Sequence, residues 1–277
     1  MHDRVKDQDA AHAPSALLAV RDWLLVALSF ATGIYEAICF LSLGKVFVGF
    51  QTGNIVFLGL GVAGTRPPAG SNPVTAVISL AAFIAGAALA MPVLKAFGGN
   101  QEVAVEVKDK DVSQVWPRRV SVTLGIGLVL QVGFLAGWMT TTTPAHLAYI
   151  LVALGAFAMG LQMNAIRALH VPGISTTAFT ATVISLASGI GTWSLSAPAL
   201  RRLTGCMAGL AAGAFLGDWM LHHAHPYVPV VPAIVIAAVV SVASVALKPA
   251  GQPRQVAADE PPGSSDAGSP RSPAATR

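Results

Sequence analysis

Apolar residues run along the chain in eight long stretches, 22–43, 46–64, 73–97, 119–140, 145–168, 174–195, 199–221 and 228–247, separated by short polar or Pro/Gly-bearing connections. A bilayer core of roughly 30 Å takes about 20 helical residues to cross, so the pattern predicts membrane-spanning helices. Six stretches are continuous enough to cross. The second carries Gln51, Thr52 and Asn54 in its first half, which leaves only 55–64 cleanly apolar, and the sixth holds nine Ser/Thr residues between Ser175 and Ser194. The expected fold is all-α: a polytopic transmembrane helical bundle of about six full spans plus two interrupted or re-entrant segments.

The cations distinguish two topologies. If all eight stretches cross from a cytoplasmic N-terminus, the connection carrying Lys95, Lys108, Lys110, Arg118 and Arg119 falls outside, against the excess of Lys and Arg expected in cytoplasmic loops. If 46–64 and 174–195 dip in and return, that connection becomes cytoplasmic together with Arg167, Arg201, Arg202 and Lys248. Arg66 is then the one cation on the wrong side.

Three full spans per half give the halves opposite orientation, an inverted repeat. The supporting matches run in order: Phe30-Ala31-Thr32-Gly33 with Phe157-Ala158-Met159-Gly160, Glu36-Ala37 with Asn164-Ala165, Thr52 with Thr180, and Ala85-Gly86-Ala87 with Ala212-Gly213-Ala214. Interrupted helices meeting near the midplane of an inverted repeat are a recurrent plan of secondary transporters. The chain then divides into a cytoplasmic N-terminal segment (1–21), a first transmembrane repeat (22–140), a second (145–247) and a tail (248–277). That tail is rich in Pro, Ser, Ala and Gly and is expected to be disordered.

Composition agrees with a membrane solvent. Of 277 residues, 54% are hydrophobic and 11% charged, with a mean hydropathy of +0.64. The 27 glycines fall largely within apolar runs, where small residues let helices approach closely. A net charge of +4 would suggest nucleic acid in a soluble chain. Here the cations flank apolar segments, and no nucleic-acid partner is expected. The N-terminus lacks the short apolar core and cleavage site of a secretory signal. The two cysteines, Cys39 and Cys206, lie in apolar stretches and read as small buried side chains, with no disulfide framework.

The candidate chemistry is the set of polar groups inside apolar runs. Glu36 lies thirteen residues after Trp23, about 20 Å along a helix, where an unpaired charge costs several kcal/mol. It is a candidate protonatable carboxylate, for a proton or a cationic solute, or else a hydrogen-bonded packing group. Gln51, Thr52 and Asn54, with Gln162, Asn164, Thr177 and Thr180 from the second half, complete the expected substrate- or ion-binding set. Hydrogen-bond capacity serves a solute site and an interhelical clamp equally well. Arg167 shares a helix face with Asn164 but stands near the end of its span, where it can snorkel to the interface.

Asp218, His222, His223 and His225 form the one metal-like cluster. They stand at a span's outer end before Pro226 with nothing to close a coordination set. No metal, cofactor or catalytic residue is expected. Hydrolase elbow, phosphate loop, dinucleotide fingerprint and zinc-protease helix are all missing from the sequence.

The run Gly33-Ile34-Tyr35-Glu36-Ala37, then Gln51-Thr52-Gly53-Asn54, then Gly160-Leu161-Gln162 with Asn164, Ala165 and Arg167, resembles the bacterial YoaK-like family of multi-spanning proteins of unknown function. The resemblance covers most of residues 20–247. The family often carries Asp where Glu36 stands, and a second Thr-Gly where this chain has Thr180-Ala181. The resemblance implies a multi-pass protein of the bacterial inner (cytoplasmic) membrane and supplies no substrate. The leading expectation is a small-solute transporter or permease with its polar centre near the midplane. Its partners would be the lipid bilayer and a small solute or proton, and self-association into a homo-oligomer is left open. The alternative is a non-transporting structural or regulatory membrane protein whose polar groups lock helices together.

Overall fold

The computed structural model describes residues 2–64, 72–97, 115–140, 145–169, 171, 183–184, 186–188, 191 and 196–247, with side chains from residue 16 onward. Its long elements are all helices: α1 (His2–Ser42), α2 (Gln51–Val62), α3 (Pro73–Ala96), α4 (Arg118–Trp138), α5 (Ala145–Arg167), α6 (Ala197–His223) and α7 (Val230–Ala246). A single 3₁₀ turn, His225–Tyr227, joins the last two. Among the described residues five helices are long and apolar enough to cross a membrane: α1 over Ala16–Ser42, α3, α4, α5 and α7 with its preceding turn. At 27 residues α6 has the length, but Arg201, Arg202 and Asp218 dilute its apolar character. The chain is thus an all-α polytopic membrane bundle.

Start and stop signals are local. Asn72 caps α3 by accepting the Val74 N–H at 2.9 Å, and Pro73 follows at the first helical position, where its missing N–H costs nothing. Ser196 caps α6 with Pro198 just inside it. The end of α1 is set by Gly44, whose φ of +103° turns the chain back on itself; Lys45 follows with φ +55°. Pro226 separates α6 from α7.

Small residues fix how the helices pair. Along α1 and α6, Val26 meets Gly209, Phe30 meets Gly213 and Ile34 meets Gly217, so the two run parallel. Gly33 lies against the Leu210 carbonyl and the Ala214 amide, too close to admit a β-carbon. The contact of α3 with α5 is built the same way. Gly86 lies against the Phe157 carbonyl and Gly160 against the Phe83 carbonyl and the Ala87 amide. Nearer their N-termini Asn72 donates to the Tyr149 hydroxyl at 3.0 Å, so these two helices are also parallel. The numbering is reciprocal: adding 127 to Phe30 and Gly33 gives Phe157 and Gly160, and subtracting 127 from Leu210, Gly213 and Ala214 gives Phe83, Gly86 and Ala87. In lipid, where apolar side chains gain little by leaving the solvent, such close backbone approach is a main source of helix association.

The remaining helices follow from these pairs. α4 lies antiparallel on α5, with Gly137 against Leu151 and Gly127 facing Ala158. α7 packs on α1 and α4. Two buried clusters lie toward opposite ends. One gathers Leu24 and Leu28 of α1 with Val120 and Leu124 of α4, Ile166 of α5 and Val239 of α7. The other gathers Ile38 with Phe134, Leu151 and Val228. The first end carries Arg21, Arg118, Arg119, Arg167, Arg201 and Arg202, and is called the basic end below. Helix α1 stops at the other end, where α3 also begins. Between them α2 starts beside Glu36 and Ser79 and reaches the start of α3, where Gly61 faces Pro73. At 12 residues it is about 18 Å long, too short to cross.

Candidate functional site

The turn between α1 and α2 is non-helical backbone held inside the bundle, so its amide groups need partners from protein. Glu36 provides them. It is 4% exposed, and its Oε1 accepts the Gly49 N–H at 2.6 Å and the Phe50 N–H at 3.2 Å, while Oε2 accepts the Val48 N–H at 3.0 Å. These three donors sit immediately before the N-terminus of α2, which carries a positive partial charge. A carboxylate suits that place electrostatically. Gly49 leaves room for this approach, because a β-carbon on it would come within 2.7 Å of Oε1 and displace the carboxylate.

A second set of bonds grips the preceding residue from the other side. Asn54 accepts the Phe47 N–H at 3.0 Å and donates to the Phe47 carbonyl at 2.6 Å, to Gln51 Oε1 at 2.8 Å and to Ser79 Oγ at 3.2 Å. Gln51 donates to the Val48 carbonyl at 2.9 Å and to Ser79 Oγ at 3.1 Å, and Ser79 donates to the Phe47 carbonyl at 2.7 Å. Glu36, Gln51 and Asn54 are therefore one assembly, fastened to the turn and, through Ser79, to α3. Gly53 leaves room for the Phe47 ring, which stacks on Phe40 with centroids 4.9 Å apart. Lys45 lies over the Phe40 ring at 5.2 Å.

The other candidates divide. Thr52 is exposed on the outer face of α2 and stands apart from this assembly. Gln162 is buried and donates to Thr32 Oγ1 at 3.0 Å, joining α5 to α1. Asn164 donates to the Ala87 carbonyl at 2.6 Å, fastening α5 to α3. Thr177 and Thr180 lie outside the described residues. The histidines scatter: His222 bonds the Asp218 carbonyl at 2.9 Å, His223 stacks on Trp219 and His225 stacks on Trp138. Among the described residues no three His, Cys, Asp or Glu side chains gather as metal ligands.

Sequence reasoning missed Ser79, Thr32, Tyr35 and Gln131. A lone serine or threonine in an apolar helix usually bonds its own backbone, as Thr32 does to the Leu28 carbonyl at 2.9 Å, so neither type stands out. Tyr35 and Gln131 carry a stronger signal, a large polar group within an apolar run. The Tyr35 hydroxyl, Gln131 Oε1 and Gln162 Oε1 are buried without a hydrogen-bond partner among the described residues.

Beside Glu36 opens a cleft of about 490 Å³ between α1, the turn and α6, lined by Phe40, Phe47, Phe50 and Leu210, with Asp218 also contributing. It is predominantly apolar, and its two ionisable groups are both carboxyls. The arrangement can accept an apolar or amphiphilic molecule with a cationic or hydrogen-bond-donating end.

No solved structure matches this chain. It is 32% identical over 173 residues to the UPF0700 transmembrane protein YoaK of Bacillus subtilis (strain 168), a match covering 62% of this chain and 68% of that protein. The similarity and the apolar helices place the chain as a multi-pass protein of the bacterial cytoplasmic (inner) membrane. Residues 24–243 match the family described as "Protein of unknown function (DUF1275)", and the chain belongs to that family.

Proposed function

We propose that this protein is a small-solute transporter of six spans, built from two halves of opposite orientation. The exchange of partners between the halves carries the reading. The first helix of each half packs in parallel on the middle full helix of the other, α1 on α6 and α5 on α3, through contacts related by the same offset of 127 residues. A two-fold axis in the membrane plane accounts for such reciprocity, and inverted repeats of this kind recur in secondary transporters. On this reading α1, α3, α4, α5, α6 and α7 cross, and the segments before α3 and before α6 return to the side they left. The basic end then faces the cytoplasm, as the distribution of Lys and Arg favours.

Within this frame the cleft beside Glu36 is the solute site. The unpartnered oxygens of Tyr35, Gln131 and Gln162 support a polar path deeper in the bundle, since buried oxygens without partners are costly. A proton at Glu36 would weaken its acceptance of the Gly49 and Val48 amides and free the turn, which couples proton loading to movement of α2. The rival reading has its own observation: every hydrogen bond of Glu36, Gln51 and Asn54 ends within the turn, on each other or on Ser79, as in a static clamp.

Proteoliposomes with an imposed pH gradient and a fluorescent lipophilic amine separate the two. Transport predicts gradient-dependent uptake that Leu210→Trp, which fills the cleft, removes without loss of folded protein. Uptake no faster than in protein-free vesicles would favour the clamp.

A further inference from the structure

A second groove, of about 280 Å³, lies between α1 and α6 at the basic end, lined by Trp23, Val26, Arg201, Arg202, Gly205 and Ala208 among others. Its floor is apolar. Gly205 and Ala208 leave the trough open, and Trp23, 65% exposed, forms one wall. Its mouth is cationic. Asp22, the acid at this site, is already shared between Arg21 at 2.8 Å and Arg202 at 3.4 Å. Arg201 is exposed, and its guanidinium makes no ion pair with any described residue.

An apolar trough that ends at an uncompensated guanidinium is complementary to an amphiphile with an anionic head. Tryptophan concentrates at the headgroup level of a bilayer. Basic pockets between membrane helices on the cytoplasmic side take anionic headgroups, and the planar guanidinium matches phosphate oxygens two at a time. We propose that this groove binds an anionic phospholipid, with its phosphate on Arg201 and an acyl chain in the trough against Trp23, Gly205 and Ala208. The groove does not include Glu36, and the inference stands whether or not the protein transports a solute. Occupancy would brace residues 19–26 of α1 against the first turns of α6.

Quenching of Trp23 reads the acyl chain directly. The intact protein and its Trp23→Phe variant are reconstituted in phosphatidylcholine vesicles. Small mole fractions of phosphatidylglycerol with brominated acyl chains are then added, and the difference between the two proteins isolates Trp23. Saturable quenching at low mole fraction is expected, with brominated phosphatidylcholine ineffective at the same fraction. Arg201→Gln, at an exposed position, should raise the fraction needed about fivefold, the factor equivalent to one surface cation. Ala208→Leu should remove the saturable component by filling the trough, with helix content unchanged by circular dichroism. Equal quenching by both headgroups, or an unchanged midpoint in Arg201→Gln, would overturn the proposal. So would full competition by millimolar inorganic phosphate, which would make the site one for a free anion.

Discussion

Glu36 Oε1 receives the Gly49 amide at 2.6 Å, and the missing side chain of Gly49 is what lets the carboxylate come so near. One residue supplies the acceptor and the other both the donor and the space. The carboxylate thereby holds the three amides just ahead of α2, beside the positive end of a helix whose own N-cap residue, Phe50, makes no side-chain cap bond.

Glu36→Gln is therefore expected to destabilise the fold as well as to change any proton chemistry. The amide keeps one acceptor oxygen for three backbone donors and turns its NH₂ toward another. A loss of about 1–3 kcal/mol follows from one buried donor left unsatisfied. Gly49→Ala should cost a similar amount by displacing Oε1 without altering the charge. Thermal unfolding in detergent measures both, and a pair of variants as stable as the parent would show that the turn does not depend on this contact.

The reciprocal glycine contacts predict matched responses in the two halves. Gly33→Val and Gly160→Val each drive a branched side chain into a facing backbone carbonyl, of Leu210 and of Phe83 respectively. Backbone cannot yield as a flexible side chain does, so each change is expected to abolish folded, monodisperse protein in size-exclusion chromatography. Gly125→Val, where the added β-carbon meets nothing within 4 Å, is the control and should leave the protein intact. Normal behaviour of either contact variant would mean that the close approach is not needed for folding.

Much of this arrangement was legible in the sequence, and the reasons for the misses are specific. Apolar run length located the long helices because lipid leaves no other way to satisfy their backbone. Polar intrusions picked out Glu36, Gln51, Thr52 and Asn54 from the first part of the chain, of which Glu36, Gln51 and Asn54 join in one hydrogen-bonded assembly. Their partners were hidden because most are backbone groups of residues 47–50, which have no sequence signature, and the rest fall on an ordinary serine, Ser79. The apparent match of Glu36-Ala37 with Asn164-Ala165 needs an offset of 128, whereas Gly33 and Gly160 are 127 apart. Helices α1 and α5 continue without interruption past those glycines. On the proposed two-half reading, where no residue can be inserted there without a bulge, Glu36 would fall opposite Met163.

Gln162 and Thr32 join α5 to α1, and so link the two parallel pairs. Gln162→Leu and Thr32→Val, alone and together, should give a coupling of about 0.6 kcal/mol, the average for such interhelical bonds in membranes. Equilibrium unfolding in mixed micelles provides the cycle. Strictly additive losses would mean that the bond contributes nothing to holding the pairs together.

The proposed return of α2 to the end it came from makes a prediction about sidedness that stability measurements cannot reach. Cys39 and Cys206 are both buried and can be replaced by alanine to give a background without thiols. Single cysteines then go in at Lys45 just after α1, at Ala63 just after α2, and at Asn72 just before α3. Lys95 and Arg118, which flank the opposite connection, provide the comparison. If the segment re-enters, an impermeant maleimide added to intact cells should label positions 45, 63 and 72 alike, and positions 95 and 118 only after the membrane is opened. Placing 45 and 63 on opposite sides would require α2 to cross. That would demand a span from 12 helical residues, well short of the about 20 that a bilayer core takes, and would remove the in-plane two-fold on which the transporter reading rests. Labelling of 45, 63 and 72 from outside, with 95 and 118 protected, would fix the orientation of all six long helices at once, because their directions relative to one another follow from how they pack.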